Sequence, residues 1–590
     1  MSLSSHGERV KTIVTFERGV TLKRIGPVRV LLATAVAALG VLLFATSSAL
    51  AQSSKPLPAL TQTAPDALTR ALATGELTQA QYALQRALSL FRPAQVSARY
   101  GEVKRPDPHA ATLILRDLAI RARYLSGADR ERALAILSRP TDSAPGDPDR
   151  YSTAEQTPVC GTHVCIHYVT STPDAVAATD TNPNNGKPDY VDSALDVFNN
   201  VVWGDEVTAK GYRAPKSDIT SQNNGSSSAD ATGAKFDVYL ANLGDDQLYG
   251  YCTSDDPHFD PGSNYQFFDG SAYCVVDNNY TEAIFQNHSP LENLQVTAAH
   301  EFFHAVQFAY DAFEDQWLLE ATATWMEDEV YDDIDDNLQY LVDGPLRKPR
   351  IPLDKGATNA DPCCHVYGDW IFFRFLSEHF GPGNDEDPTI VRQIWRKADG
   401  AQGGPDNFSI QAIQNVASNQ RGTSFRALFS NFGWGNRVSR LFYDEGSDNA
   451  YPQAPLSASA MTVSGSNRSR SKTLTLNHQT NGYLEFKRGS GVSGTAKLKV
   501  VLNLPPTSTG AAASALVFKK NGGVLPFTLG VPSTGDGTFK IQFGSTVAKV
   551  DVIVTNASLR YKNCFAHNTP YACSGVPRDD GQAYKVTAHL

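Results

Sequence analysis

The chain has 590 residues, 41% of them hydrophobic and 10% aromatic, so it is large enough to form more than one hydrophobic core. This composition excludes a fibrous or disordered protein, and the length predicts about three domains. The formal charge of -10 is modest for this size, and no run of lysine or arginine marks a nucleic-acid surface. We therefore expect a globular protein that does not bind nucleic acid.

The N-terminus has the pattern of a secretory signal peptide. Basic residues precede an apolar run at 30–45, and small residues follow as far as Ala51. We predict that residues 1–51 are a signal peptide cleaved before Gln52, with the mature protein secreted or otherwise extracytoplasmic in a bacterium and not held in the membrane. The basic part is long, so the alternatives are an uncleaved anchor or a start codon assigned too far upstream.

The next segment, 52–150, is predicted to be a helical region followed by a linker. Ala, Leu, Arg and Gln recur with helical periodicity over 59–138, and a stretch rich in Pro, Asp and Ser at 140–150 breaks the pattern. In an exported hydrolase such a region is either an inhibitory propeptide or an ordinary helical domain.

Two further domains follow, and together they predict an α+β protein. Over 151–450, strand patterns at 164–169, 236–240 and 274–277 alternate with helical ones. The strand at 274–277 is a candidate for a sheet edge that pairs with an extended substrate. From 451 to 590 the chain is rich in Ser, Thr, Gly and Val, with short alternating runs that predict a β-sandwich.

Eight cysteines fall in close pairs, and an even count in an exported chain favours disulfides. Proximity predicts four bridges: Cys160–Cys165, Cys252–Cys274, Cys363–Cys364 and Cys564–Cys573. The third would be a strained bridge between adjacent residues, and it is the least favoured of the four.

The pentapeptide His300-Glu301-Phe302-Phe303-His304 carries the clearest chemistry. On a helix, two histidines four residues apart lie on one face and can bind one zinc ion, and the glutamate between them can take a proton from a zinc-bound water. Ser289 and Glu292 form a predicted capping box with proline at the first helical position, so the motif lies inside a helix. The alternative is an ordinary core helix.

The third protein ligand separates the classes of zinc peptidase. Metzincins have glycine and histidine at the positions that Gln307 and Tyr310 occupy here, so that class is excluded. A second helix is predicted over 317–327, and Glu320 in its first turn can face the histidine pair if the helices pack antiparallel. Two histidines and one glutamate form a catalytic zinc set. Glu327 is either a group that supports a ligand or the competing ligand.

These segments resemble a family of secreted bacterial zinc metalloproteases of the gluzincin type, common in myxobacteria. The resemblance extends over about 160–436 and includes five stretches, at 186–191, 236–240, 300–308, 317–327 and 367–372. It implies a zincin-like metalloprotease domain in which His300, His304 and Glu320 hold Zn2+ and Glu301 is the general base.

The expected activity is that of an endopeptidase, which hydrolyses peptide bonds within a protein or peptide substrate by means of a zinc-activated water. Tyr367 and His365 are candidates for stabilising the oxyanion, and the C-terminal sandwich is a candidate for binding a surface or polymer. The alternative is a non-catalytic surface or adhesion protein with a metalloprotease-like domain, against which an intact Glu301 argues.

Two acidic segments are candidate Ca2+ sites. The segment 180–189 is dense in oxygen ligands around a glycine turn, and the segment 327–336 forms an acidic cluster just after the second predicted helix. The alternative for both is a solvated charged surface.

Overall fold

The computed structural model describes residues 67–590 apart from 104, 143, 219–234, 257–267, 358–363, 382–385 and 567–568. The predicted signal peptide lies outside the described residues. Within them, no helix combines the length and the apolar character needed to cross a bilayer.

The N-terminal region is helical, as predicted. A capping box between Thr78 and Gln81 starts its second helix, and Asp107 caps a single 3-10 turn at Pro108–Ala110 that leads into the fourth. The helices are α1 (Ala67–Ala73), α2 (Gln79–Phe91), α3 (Pro93–Tyr100), α4 (Ala111–Arg121) and α5 (Gly127–Ile136).

A mixed sheet follows, with strands β1 (Val159–Cys160), β2 (Val164–His167), β3 (Phe236–Ala241), β4 (Gly250–Thr253) and β5 (Tyr273–Asp277). Its order is β1-β2-β3-β5-β4, with β2, β3 and β5 parallel and β4 antiparallel to β5. The prediction that the strand at 274–277 forms an edge is therefore wrong, because the short strand β4 covers it. Sequence patterns missed β4 because it has only four residues and begins with glycine.

Both faces of this sheet are covered, and the alternation of side chains along β3 and β5 shows how. Val238 and Val276 point into the larger core, which contains the helices that follow the sheet. Tyr239 and Val275 point to the other face, where they join a core with apolar residues of α2 and α4. The N-terminal helices therefore form one layer of the protein.

The remaining helices pack mainly in the larger core. The first of them, at Asp189–Leu195, continues as π-helical turns to Ala209. The helices are α6 (Asp189–Leu195), α7 (Pro290–Asp311), α8 (Gln316–Val330), α9 (His365–Gly368), α10 (Trp370–His379), α11 (Ile390–Trp395), α12 (Ser409–Arg421), α13 (Phe425–Arg437) and α14 (Ser439–Phe442).

The C-terminal part contains β-sheets, as the sequence predicts. The strands are β6 (Met461–Val463), β7 (Ser469–Leu476), β8 (Thr480–Arg488), β9 (Lys497–Asn503), β10 (Ala511–Lys519), β11 (Val524–Leu529), β12 (Asp536–Gln542), β13 (Val547–Asn556), β14 (Tyr561–Lys562), β15 (Val576–Pro577) and β16 (Gln582–His589). Two sheets, ordered β11-β10-β13-β8-β6 and β12-β9-β16-β7, share one apolar core, and β14 and β15 form a separate two-stranded sheet.

Polar contacts join these sheets to the rest of the chain. His478 is buried and lies between Asp354 and Asp580, at 2.9 Å and 2.6 Å from a carboxylate oxygen of each. Burial lowers the pKa of His478, but the two carboxylates more than offset this effect and raise the pKa to about 9. In the segment between β14 and β15, the backbone N–H of Cys573 donates to a carboxylate oxygen of Asp315 at 2.9 Å.

Three predicted disulfides are present: Cys160–Cys165, Cys252–Cys274 and Cys564–Cys573. Cys363 lies outside the described residues, so the bridge predicted for Cys363–Cys364 remains a prediction. Disulfides are compatible with an extracellular location.

Candidate metal centre

The helix α7 presents the two histidines of the motif on one face. Its start is fixed by the predicted capping box, in which Ser289 Oγ accepts from Glu292 N–H at 3.3 Å and Glu292 Oε2 accepts from Ser289 N–H at 2.8 Å. His300 and His304 lie one turn apart in the middle of this helix, and their Nε2 atoms are 3.1 Å apart. This spacing follows from the helical repeat.

Helix α8 brings the third predicted ligand to the same place. Glu320 Oε2 lies 3.4 Å from His300 Nε2 and 3.6 Å from His304 Nε2. Zinc bound tetrahedrally by such atoms at about 2.0–2.2 Å needs them about 3.3–3.6 Å apart. The three donor atoms therefore have the mutual spacing that one small metal ion requires, and they form one of two groups in the described residues that could hold a metal.

The environment of Glu320 also fits a cation. Its side chain is fully buried, and neither carboxylate oxygen has a hydrogen-bond partner among the described residues. Burial raises the pKa of Glu320, but the two neighbouring histidines outweigh burial and lower the pKa to about 2. A buried, ionised carboxylate without hydrogen bonds is costly unless a positive charge compensates it.

In each histidine the Nε2 atom faces Glu320, and the other ring nitrogen, Nδ1, contacts a side chain that orients the ring. His300 Nδ1 is 2.6 Å from Glu327 Oε1, and His304 Nδ1 is 2.7 Å from Gln307 Oε1. Such partners fix the tautomer in which Nε2 is free to bind a metal. Glu327 thus contacts the nitrogen remote from Glu320 and supports a histidine, whereas Gln307 is a group that the sequence patterns did not identify as functional.

The catalytic candidate, Glu301, lines a cleft beside the histidines. Its side chain is largely buried, and it shares the cleft with the edge strand β4 and several aromatic rings. A Cβ atom added at Gly250 of β4 would lie 2.7 Å from a methyl group of Thr297 and 3.3 Å from the Cγ atom of Glu301. Only glycine lets the backbone of β4 come this close to α7 without displacing Thr297 or Glu301.

The two candidates for oxyanion stabilisation have different positions. The ring of Tyr367 lines the cleft, with its centroid 6.2 Å from that of His300. Burial raises the pKa of Tyr367 well above its usual value, so the hydroxyl keeps its proton at neutral pH. Both ring nitrogens of His365 lie 3.1 Å from backbone carbonyl oxygens, those of Asp343 and Pro352. His365 therefore serves the local structure.

The structure also gives the contacts of the carboxylates in the two candidate calcium segments. In the first, carboxylate oxygens of Asp180 and Asp189 accept backbone N–H groups of their own loop. In the second, Asp328 belongs to the other group that could hold a metal. There the guanidinium of Arg374 contacts Asp328 and lies 3.0 Å from a carboxylate oxygen of Glu445, so an arginine supplies the positive charge in this structure.

Comparisons with known proteins assign the chain to no family. No family model matches it, and no significant match occurs among curated proteins. One similar solved structure is CorA, a surface-associated copper-binding protein important in copper acquisition in Methylomicrobium album BG8. The match has 7% sequence identity and a TM-score of 0.16, and it covers 23% of this chain and 100% of that one. A likeness this weak supports no conclusion about fold or function.

Proposed function

We propose that this protein is a secreted zinc metallopeptidase that hydrolyses peptide bonds with Glu301 as the general base. The observation that carries the proposal is the cluster of His300, His304 and Glu320, whose donor atoms lie 3.1–3.6 Å from one another. Two imidazoles and one carboxylate form a ligand set found in catalytic zinc sites, which leave a fourth position for water or substrate.

The fold of residues 151–450 is proposed to be zincin-like. The supporting features are a mixed sheet with an antiparallel edge strand, β4, and a helix, α7, that packs against the sheet and carries the paired histidines. The second helix, α8, packs against α7 and supplies Glu320. Secretion is proposed from the N-terminal signal pattern, and the disulfides are compatible with it.

The chemistry supplied by a zinc ion, when bound, is activation of a water molecule and polarisation of the scissile carbonyl. In the proposed reaction, the carboxylate of Glu301 accepts the proton of that water and then delivers it to the leaving amine. Tyr367 is the proposed hydrogen-bond donor to the oxyanion because its protonated hydroxyl belongs to a ring that lines the cleft. Glu327 and Gln307 hold the two histidine rings in place.

The test compares metal content and proteolysis in matched variants. Glu301→Gln should bind one zinc ion like the wild type but lose cleavage of casein by at least about 100-fold, because the base is lost and the ligands remain. His304→Ala should lose both zinc and cleavage. Glu292→Gln, at the start of the same helix, is the control and should lose neither.

The proteins should be assayed intact and after limited proteolysis, so that a masked cleft does not hide activity. Full cleavage by Glu301→Gln would refute the mechanism. Absence of both zinc and cleavage from every form of the wild type would instead favour the non-catalytic surface protein.

A further inference from the structure

The hydroxyl of Thr112, on helix α4 of the N-terminal region, contacts Glu301. Thr112 Oγ1 donates to Glu301 Oε2 at 2.7 Å and accepts from the backbone N–H of Cys252 at 2.9 Å. A hydroxyl has one proton and two lone pairs, so both bonds form at once. The contact between Thr112 and Glu301 joins residues 189 positions apart in the sequence.

Both partners of Thr112 are groups that a substrate would need. The carboxylate of Glu301 has to face the attacking water. The N–H of Cys252 belongs to β4, the edge strand, and points away from the sheet, where an extended peptide would add as a further strand and accept this hydrogen bond. The hydroxyl of Thr112 takes both places at once. It accepts the hydrogen bond of the strand, as an added peptide would, and it donates a hydrogen bond to Glu301, as the attacking water would.

A second residue of the same region, His109, lines the cleft itself. The ring of His109 lies between Tyr249 and Tyr367, at centroid distances of 5.7 Å from each, and it meets Tyr340 edge-on at 6.0 Å. Asp107 fixes this position by accepting from the backbone N–H of His109 at 3.1 Å and by lying 2.9 Å from its Nδ1. The aromatic lining that would receive a substrate side chain is already in contact with His109.

Apolar packing holds this region on the sheet. Leu115 and Leu118 of α4 are buried in one core with Tyr251 and Tyr273, from β4 and β5. Polar contacts add to this packing, because Arg116 donates to the carbonyl oxygen of Glu314 at 3.1 Å. The contacts at Thr112 and His109 are therefore part of a stable interface.

We infer that residues 67–125, which comprise α1 to α4 and the turn that follows, are a built-in inhibitor of the cleft and hold the protein in a latent form. This inference rests on the proposed function. The boundary of the inhibitor lies before Arg139, which is fully buried and paired with Asp218, Asp237 and Asp255. Loss of Arg139 would leave these carboxylates in the protein without their cation. The part that is displaced therefore ends earlier than the boundary at 150 predicted from sequence.

The test uses the full chain and variants at Thr112. Thr112→Asp places a second carboxylate beside that of Glu301, and their repulsion should drive α4 out of the cleft. Thr112→Ser keeps the hydroxyl and should stay latent. Thr74→Asp, at the end of α1 in the same region, is the matched control for an added charge. A further form has a site-specific protease sequence inserted before Ser126, in the exposed turn ahead of α5.

Zinc content and casein cleavage are measured for each form. We expect all forms to bind zinc. Thr112→Asp and the cut chain freed of its fragment should cleave casein at least about tenfold faster than the uncut wild type, while Thr112→Ser and Thr74→Asp should match the wild type.

Two results would overturn the inference in distinguishable ways. If the uncut wild type binds zinc and cleaves casein as fast as the cut chain freed of its fragment, the inhibitor is refuted and the proposed function stands. If no form binds zinc, or none cleaves, the proposed function fails and the inference fails with it.

Discussion

The side chain of Gln307 connects the two helices of the metal centre, and its removal gives the sharpest test of how the ligands are held. It is fully buried, its Oε1 is 2.7 Å from His304 Nδ1, and its Nε2 donates to the carbonyl oxygen of Leu319 at 2.9 Å and to Thr322 Oγ1 at 3.0 Å. Gln307→Leu preserves most of the volume and removes all three bonds.

The expected loss has two parts. The buried Nδ1–H of His304 loses its acceptor, which costs about 1–3 kcal/mol of folding free energy. Loss of a group that orients a metal-binding histidine typically weakens metal affinity by about 10- to 100-fold. This factor corresponds to about 1.4–2.7 kcal/mol of binding free energy.

Two measurements separate these parts. Thermal unfolding of the metal-free protein reports the first, and titration with a competing chelator gives the zinc Kd for the second. Gln307→Glu keeps an acceptor for His304 and should retain zinc affinity, although its carboxylate faces the Leu319 carbonyl and lowers stability. Gln295→Leu, a half-buried position on the same helix, is the control. A zinc Kd for Gln307→Leu within twofold of the wild type would refute the reasoning.

Three further outcomes are expected. Glu320→Gln should destabilise the metal-free protein at neutral pH, because the two histidines favour the ionised carboxylate in the folded state, and it should abolish zinc binding at micromolar concentration; chelator titration and melting curves check both effects. The pKa of His478 is raised to about 9 from an ordinary 6.5, so its stabilisation of about 3 kcal/mol is complete below pH 6.5 and is lost as the pH rises through 9. Melting curves between pH 6 and 10 should show this loss in the wild type and in His589→Gln, and should not show it in His478→Gln. In the chain cut before Ser126 and freed of its fragment, Gly250→Val should lower casein cleavage by at least about tenfold with zinc content unchanged, because the side chain presses on Glu301; unchanged cleavage would contradict this account.

The part of the centre that the sequence predicted depends on short-range patterns. A capping box, a proline at the first helical position and histidines four residues apart all act within one helix, α7, and their geometry is fixed by the helical repeat. Glu320 could be predicted as the third ligand because only a short turn separates α7 from α8. The structure places all three predicted ligands together, and their role in binding zinc remains a prediction.

The features that the sequence did not predict depend on long-range packing. Thr112 lies in an ordinary helical pattern, and nothing near it in the sequence indicates that it contacts Glu301. The position of β4 at the edge depends on pairing with β5, which follows it after a long connection. Gln307 could have been found, because a polar residue three positions after His304 lies near the same face of the helix.

The contact between Cys573 and Asp315 affects how this protein can be divided for experiments. Asp315 is the N-cap residue of α8, the helix that supplies Glu320, and the N–H of Cys573 donates to its carboxylate from the far end of the chain. A fragment that stops near residue 450 would lack this donor and the segment around the Cys564–Cys573 disulfide, which packs in the larger core. A recombinant protein intended for assay or crystallisation should therefore extend to the C-terminus, even when only the metal-binding half is of interest.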